Sequence, residues 1–89
     1  MSGDISLSHS ELFSAILSLK TEEECKEFFE DLCTIKELDS MTQRVIAAKL
    51  LLDGQTYEKI IAKTDISSAT LSRVSRCVKY GDGYKKILK

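Results

Sequence analysis

No proline interrupts any of the 89 residues. Proline is the residue that most reliably ends or kinks a helix, so in this chain helix limits must be set by caps and glycines. Two stretches, Thr21-x-x-Glu24 and Thr34-x-x-Glu37, have the form of a capping box. In that motif a threonine hydroxyl accepts from the amide three residues on, and the glutamate reaches back to an amide at the cap. Asp53-Gly54 can close a helix, because glycine tolerates the left-handed cap. Gly81-Asp82-Gly83 reads as a turn.

Between these limits the apolar residues recur at helical spacing. A first helix is expected over about residues 10–19, with Leu12, Phe13, Ile16, Leu17 and Leu19 as its stripe and Ser8 or Ser10 as cap. The second opens at Thr21 and turns Cys25, Phe28, Phe29, Leu32 and Cys33 to one side. The third runs from Ile35 to about Leu52, with Met41, Val45, Ala48, Leu51 and Leu52 along one face and a break placed near Asp39–Ser40. Gln55-Thr56 starts a short helix over about 57–63, and Thr64, Asp65 and Ile66 form a turn. Ser67 caps the next helix, about 68–79, and a short basic helix spans Tyr84 to Leu88. No segment reads as a strand, so the fold class is all-α. The length allows one small domain, 1–89, read as dimerisation helices over 1–53, a helix–turn–helix over 54–80 and a C-terminal short helix over 81–89.

The 43% hydrophobic and 30% charged residues are ordinary for a globular chain. No stretch approaches a membrane span, and MSGDISLSHS lacks the basic and apolar regions of a secretory leader. A cytoplasmic location is therefore expected. The three cysteines, Cys25, Cys33 and Cys77, fit it as free thiols, and with a single histidine, His9, no metal site is expected. No nucleophile–base pair and no glycine-rich phosphate loop is present, so an enzyme is not expected. The charge is unevenly divided. Residues 1–53 hold eleven acids and five bases, a balance of −6, and residues 54–89 hold three acids and eight bases, a balance of +5. A basic half on a near-neutral chain suits a polyanion.

The basic half also carries the pattern with most chemical content. Leu71, Val74, Ser75 and Val78 fall at i, i+3, i+4 and i+7, so that face packs inward. Ser68, Ala69, Ser72 and Arg76 then face outward. Small or polar residues at the start of a helix let its backbone approach base edges in a major groove, with the arginine reaching further along. Thr70 and Arg73 lie between the two faces and suit phosphate contact or a neighbouring pocket. Ser67 stands at the helix N-terminus, where phosphates bind. Lys59 and Lys63 on the preceding helix, and Lys79 further on, would flank the backbone of double-stranded DNA.

The stretches "RVIAAKLLLDGQTYEKI" and "SSATLSRVSRCVKYGDGYKKIL", with "DLCTIKEL" before them, resemble the Trp repressor superfamily, and within it the YerC/YecD-type Trp-repressor-like proteins of bacteria. The resemblance runs from about Phe28 to Leu88. It implies an all-α, intertwined homodimer whose two helix-turn-helix heads read DNA one turn apart, and hence a transcriptional regulator, expected to be a repressor. It also implies an effector pocket, with Arg44 and Arg73 matching the family's two sandwiching arginines and Thr34 its threonine. Two positions there depart from the pattern: Val74 stands where the family has glycine, and Cys77 where it has serine. A small-molecule corepressor is left open, and L-tryptophan is not expected to bind. In the helix-turn-helix, Ile61 takes the slot of a small alanine, implying a wider helix crossing. Asp65 takes the slot of the turn glycine, which aspartate can fill. The alternative reading is a protein-interaction module that keeps the fold without specific DNA binding, its acidic half docking a basic partner.

Overall fold

The computed structural model describes residues 7–89. The stretch read above for a leader begins in residues 1–6, which lie outside the described residues. The described residues form α1 (Ser10–Leu17), α2 (Glu22–Leu32), α3 (Ile35–Leu52), α4 (Tyr57–Thr64), α5 (Ser68–Tyr80) and α6 (Gly83–Leu88), with no strand among them. The chain divides into two compact units, Met1–Thr34 and Ile35–Lys89. In the second unit α3 supplies one wall of the core that α4, α5 and α6 pack on.

In the first unit α1 begins at Ser10, with His9 at the cap position making no side-chain cap bond. The Ser8 hydroxyl instead accepts from the Ser10 amide at 3.2 Å. The helix stops at Leu17, two residues short of the expected end. There the Ser18 hydroxyl donates to the Ala15 carbonyl at 2.7 Å, and the Leu19 amide bonds Ile16 across a tighter turn. In α2 the Thr21 hydroxyl accepts from the Glu24 amide at 3.0 Å, as a capping box requires. The returning Glu24 carboxylate accepts from the Lys20 amide at 2.8 Å, one residue before the cap. Neither helix buries a residue. Phe28 and Phe29 meet edge to face, yet Leu12, Phe13, Leu17 and Leu32 remain exposed.

The second unit holds the core. Ala47 and Ala48 from α3, Ile60 from α4, Ile66 from the turn and Leu71 and Val74 from α5 are buried. Leu50, Leu51, Val78, Tyr84 and Leu88 pack around them. α3 is continuous, with no break at Asp39–Ser40. Ser40 and Leu38 keep helical geometry there, and their carbonyls also accept from the Arg44 guanidinium (3.4 Å) and the Thr42 hydroxyl (2.8 Å). The helix closes in a Schellman arrangement. Gly54, at φ +86°, donates to the Leu51 carbonyl, and Gln55 donates to that of Leu50, both at 3.0 Å.

The turn between α4 and α5 passes through Asp65 at φ 60°, ψ 21°, the only non-glycine residue with positive φ among the described residues. Its amide bonds the Ile61 carbonyl at 2.9 Å, and Ile66, 2% exposed, plugs the core directly after it. Left-handed backbone costs an L-residue roughly 1–2 kcal/mol, less for aspartate than for a branched residue. Asp65→Val should therefore lower unfolding free energy by about 1–2 kcal/mol in a urea titration, and Asp65→Gly should match or exceed the parent. A valine variant as stable as the parent would contradict this turn.

Candidate nucleic-acid interface

The face proposed from sequence is built by caps at one end and core residues beneath. Thr56 caps α4 by accepting from the Lys59 amide at 3.3 Å. Ser67 caps α5 by accepting from the Thr70 amide at 3.1 Å, and its hydroxyl donates to the Thr70 hydroxyl at 2.9 Å. The Ser67 side chain is thus engaged in the cap. The amides of Ser68 and Ala69, first in the helix, lack intrahelical acceptors and point out of the N-terminus, where the helix dipole favours an anion.

Leu71 and Val74 lie in the core, and Ser75 and Val78 are half-buried, so one side of α5 is held against the protein. Ser68, Ala69, Ser72 and Arg76 are exposed on the other side. Thr70 is half-buried and Arg73 exposed, while Lys59, Lys63, Ser67 and Lys79 are all exposed. Small side chains at the start of α5 leave its backbone approachable.

The residues assigned to an effector pocket are distributed differently. Val74 is 2% exposed and belongs to the core, so its side chain is committed to packing. Cys77 lines an apolar cleft of about 530 Å³ together with Val45, Gly81, Gly83, Tyr84, Ile87 and Leu88. Neither Arg44 nor Arg73 lines that cleft. Arg44 is half-buried with its Nε on the Ser40 carbonyl, and Thr34 closes the first unit immediately before α3. Ile61 is 36% exposed, with Ile60 taking the core position.

Two features were not read from the sequence. One is the apolar cleft, made by residues of α3, α5 and α6 that no local pattern groups. The other is Gln43, whose Nε2 donates to the Thr64 carbonyl at 3.0 Å. A signal for it existed: Gln43, Ala47 and Leu50 fall at i, i+4 and i+7, so a glutamine interrupts an apolar stripe. Among the described residues no cluster of His, Cys, Asp or Glu could hold a metal ion, and no helix is long and apolar enough to cross a membrane.

This arrangement, an all-helical chain with a long helix backing two short helices and a tight turn, defines a small helical protein built like the Trp repressor. The chain belongs to the Trp repressor protein family, whose sequence model matches residues 8–89. It is 53% identical over 79 residues to the uncharacterized protein YerC of Bacillus subtilis (strain 168), covering 88% of this chain and 76% of that one. Among solved structures it is similar to a candidate Trp repressor from Staphylococcus aureus, with a TM-score of 0.86 and 46% identity over 89% of this chain and 80% of that one. It is also similar to a TrpR-like protein from Eubacterium eligens ATCC 27750, with a TM-score of 0.84 and 49% identity over 88% and 81% of the two chains.

The Ser67 cap is open to direct test. Ser67→Ala should lower stability by about 1 kcal/mol, the usual cost of losing such a cap, read from denaturant unfolding. A change within the error of that titration would mean that the hydroxyl is not needed to start α5.

Proposed function

We propose that this protein is a sequence-specific DNA-binding transcriptional regulator that acts as a homodimer, with α4, the Asp65–Ser67 turn and α5 forming a helix-turn-helix. The observation that carries this reading is the division of α5. Leu71 and Val74 anchor one side, while Ser68, Ala69, Ser72 and Arg76 stand exposed on the other. A helix held this way can enter a major groove with its N-terminal turn leading.

In this reading Ser68, Ala69, Ser72 and Arg76 face base edges. Lys59, Lys63, Thr70 and Lys79, with the amides behind Ser67, hold phosphates and set the register. The dimer accounts for α1 and α2. Their apolar side chains, Leu12, Phe13, Leu17 and Leu32, are exposed in the single chain, and a second copy would cover them. Residues 1–53 then serve dimerisation, residues 54–80 read DNA and residues 81–89 form the C-terminal short helix. The two heads lie about 34 Å apart, the spacing known for helix-turn-helix dimers, the Trp repressor among them.

Selection of sites from random duplex DNA by the purified protein, at low and physiological salt, tests the reading. The expected result is a palindrome with half-sites one helical turn apart. Binding at low salt without a consensus would reduce the interaction to charge alone. On the selected site Arg76→Ala should cost about 1–3 kcal/mol if the guanidinium grips a guanine, with little loss on unrelated DNA. An equal loss on every duplex would make Arg76 a phosphate contact.

The proposal does not include L-tryptophan as corepressor. Val74 fills its position with a branched core side chain, and the cleft beside Cys77 is lined by neither Arg44 nor Arg73. Calorimetric titration with L-tryptophan should show no saturable heat, and a clear binding isotherm would overturn that expectation.

A further inference from the structure

Gln43 belongs to α3, outside the surface proposed to touch DNA. Its side chain crosses to α4 and donates from Nε2 to the Thr64 carbonyl at 3.0 Å, in a half-buried setting. Thr64 is the last residue of α4, so its carbonyl has no partner within that helix. The Thr64 hydroxyl is engaged as well, donating to the Ile60 carbonyl at 2.7 Å and accepting from the Ile66 amide at 3.2 Å. The left-handed Asp65 follows at once. One residue therefore joins α3, the end of α4 and the start of the turn.

The surroundings of this bond are open. A cleft of about 330 Å³ lies there, lined by Asp39, Thr42, Gln43, Ile46, Lys63 and Thr64. The bond therefore lies at the surface edge of the α3–α4 contact, beside the core and not within it. The buried Ile60 and Ile66 set how deeply α4 and the turn sit. Those apolar contacts are non-directional, so the orientation of the α4 end also draws on polar contacts at the edge of the core. The Gln43–Thr64 bond adds a directional restraint at the end of α4, between the buried Ile60 and Ile66.

We infer that Gln43 is a positioning residue for DNA binding: by holding the Thr64 carbonyl against α3, it sets the angle at which α5 is presented, and so the spacing of half-sites that a dimer accepts. This inference rests on the dimeric DNA-binding reading above. A small rotation at the Thr64 end displaces Ser68 and Ala69 sideways. In a dimer each head must meet its half-site, so looser heads tolerate more spacings and discriminate among them less.

The test compares wild type and Gln43→Leu on duplexes carrying the selected half-sites, at the selected spacing and with a base pair inserted or removed. The readout is the ratio of affinities between spacings, with affinity for a single half-site as control. Loss of one such bond should shrink the ratio by a factor of roughly 3–10. Affinity for the single half-site should hold, which a general weakening of the fold would not allow. Gln43→Lys keeps an N–H donor of similar reach and should restore the ratio, because its added charge strengthens binding to all duplexes alike and cancels. If Gln43→Leu lacks a cooperative thermal transition, Gln43→Glu decides by the same ratio, since its carboxylate cannot donate at neutral pH. A folded variant that keeps the wild-type ratio overturns the inference and leaves the DNA reading standing. Wild type that selects no site overturns the DNA reading, and the inference with it.

Discussion

How closely α4 and α5 can approach α3 governs everything that follows it in the chain. Ala47 and Ala48 are completely buried on α3. Their single methyl groups leave room for the larger Ile60 and Leu71, which are also completely buried, and for Val74. Each large apolar side chain removed from water contributes about 1.5–3 kcal/mol. With so few of them in the core, the second unit depends on that close approach.

This mounting also creates the outward surface. Because Leu71 and Val74 are fixed from below, the rotation of α5 about its own axis is fixed too. Ser68, Ala69, Ser72 and Arg76 then have one direction in which to point. The caps at Thr56 and Ser67 hold the starts of both short helices, and Asp65 accepts a left-handed backbone so that Ile66 can return to the core. Stability and recognition are thus coupled through a few residues: the inner side of α5 holds the fold, and the outer side is left available for a partner.

Helix limits were legible because the signals for them are local. Thr21, Thr56 and Ser67 each accept an amide three residues on, and Gly54 and Asp65 carry the left-handed backbone their surroundings demand. The inward and outward faces of α5 followed from spacing alone. Where reading failed, a competing contact decided. α1 closed at Leu17 with the Leu19 amide on the Ile16 carbonyl in a tighter turn, and Glu24 found the Lys20 amide. The break expected in α3 did not occur, since serine and aspartate on an exposed face cost a helix little.

By itself, then, the sequence determined that the chain is all helical, where most of its helices begin and end, and which side of α5 faces inward. These properties depend on interactions within about one helical turn, and they are written in consecutive residues. Only the tertiary structure decided that α3 shares a core with α4, α5 and α6, that Ile60 and not Ile61 enters it, and that Val74 is core while Cys77 borders a cleft. The tie from Gln43 to Thr64 belongs to the same class, spanning 21 residues. Contacts of that range depend on how helices approach one another, and that is set by the summed shapes of many side chains, not by any local pattern.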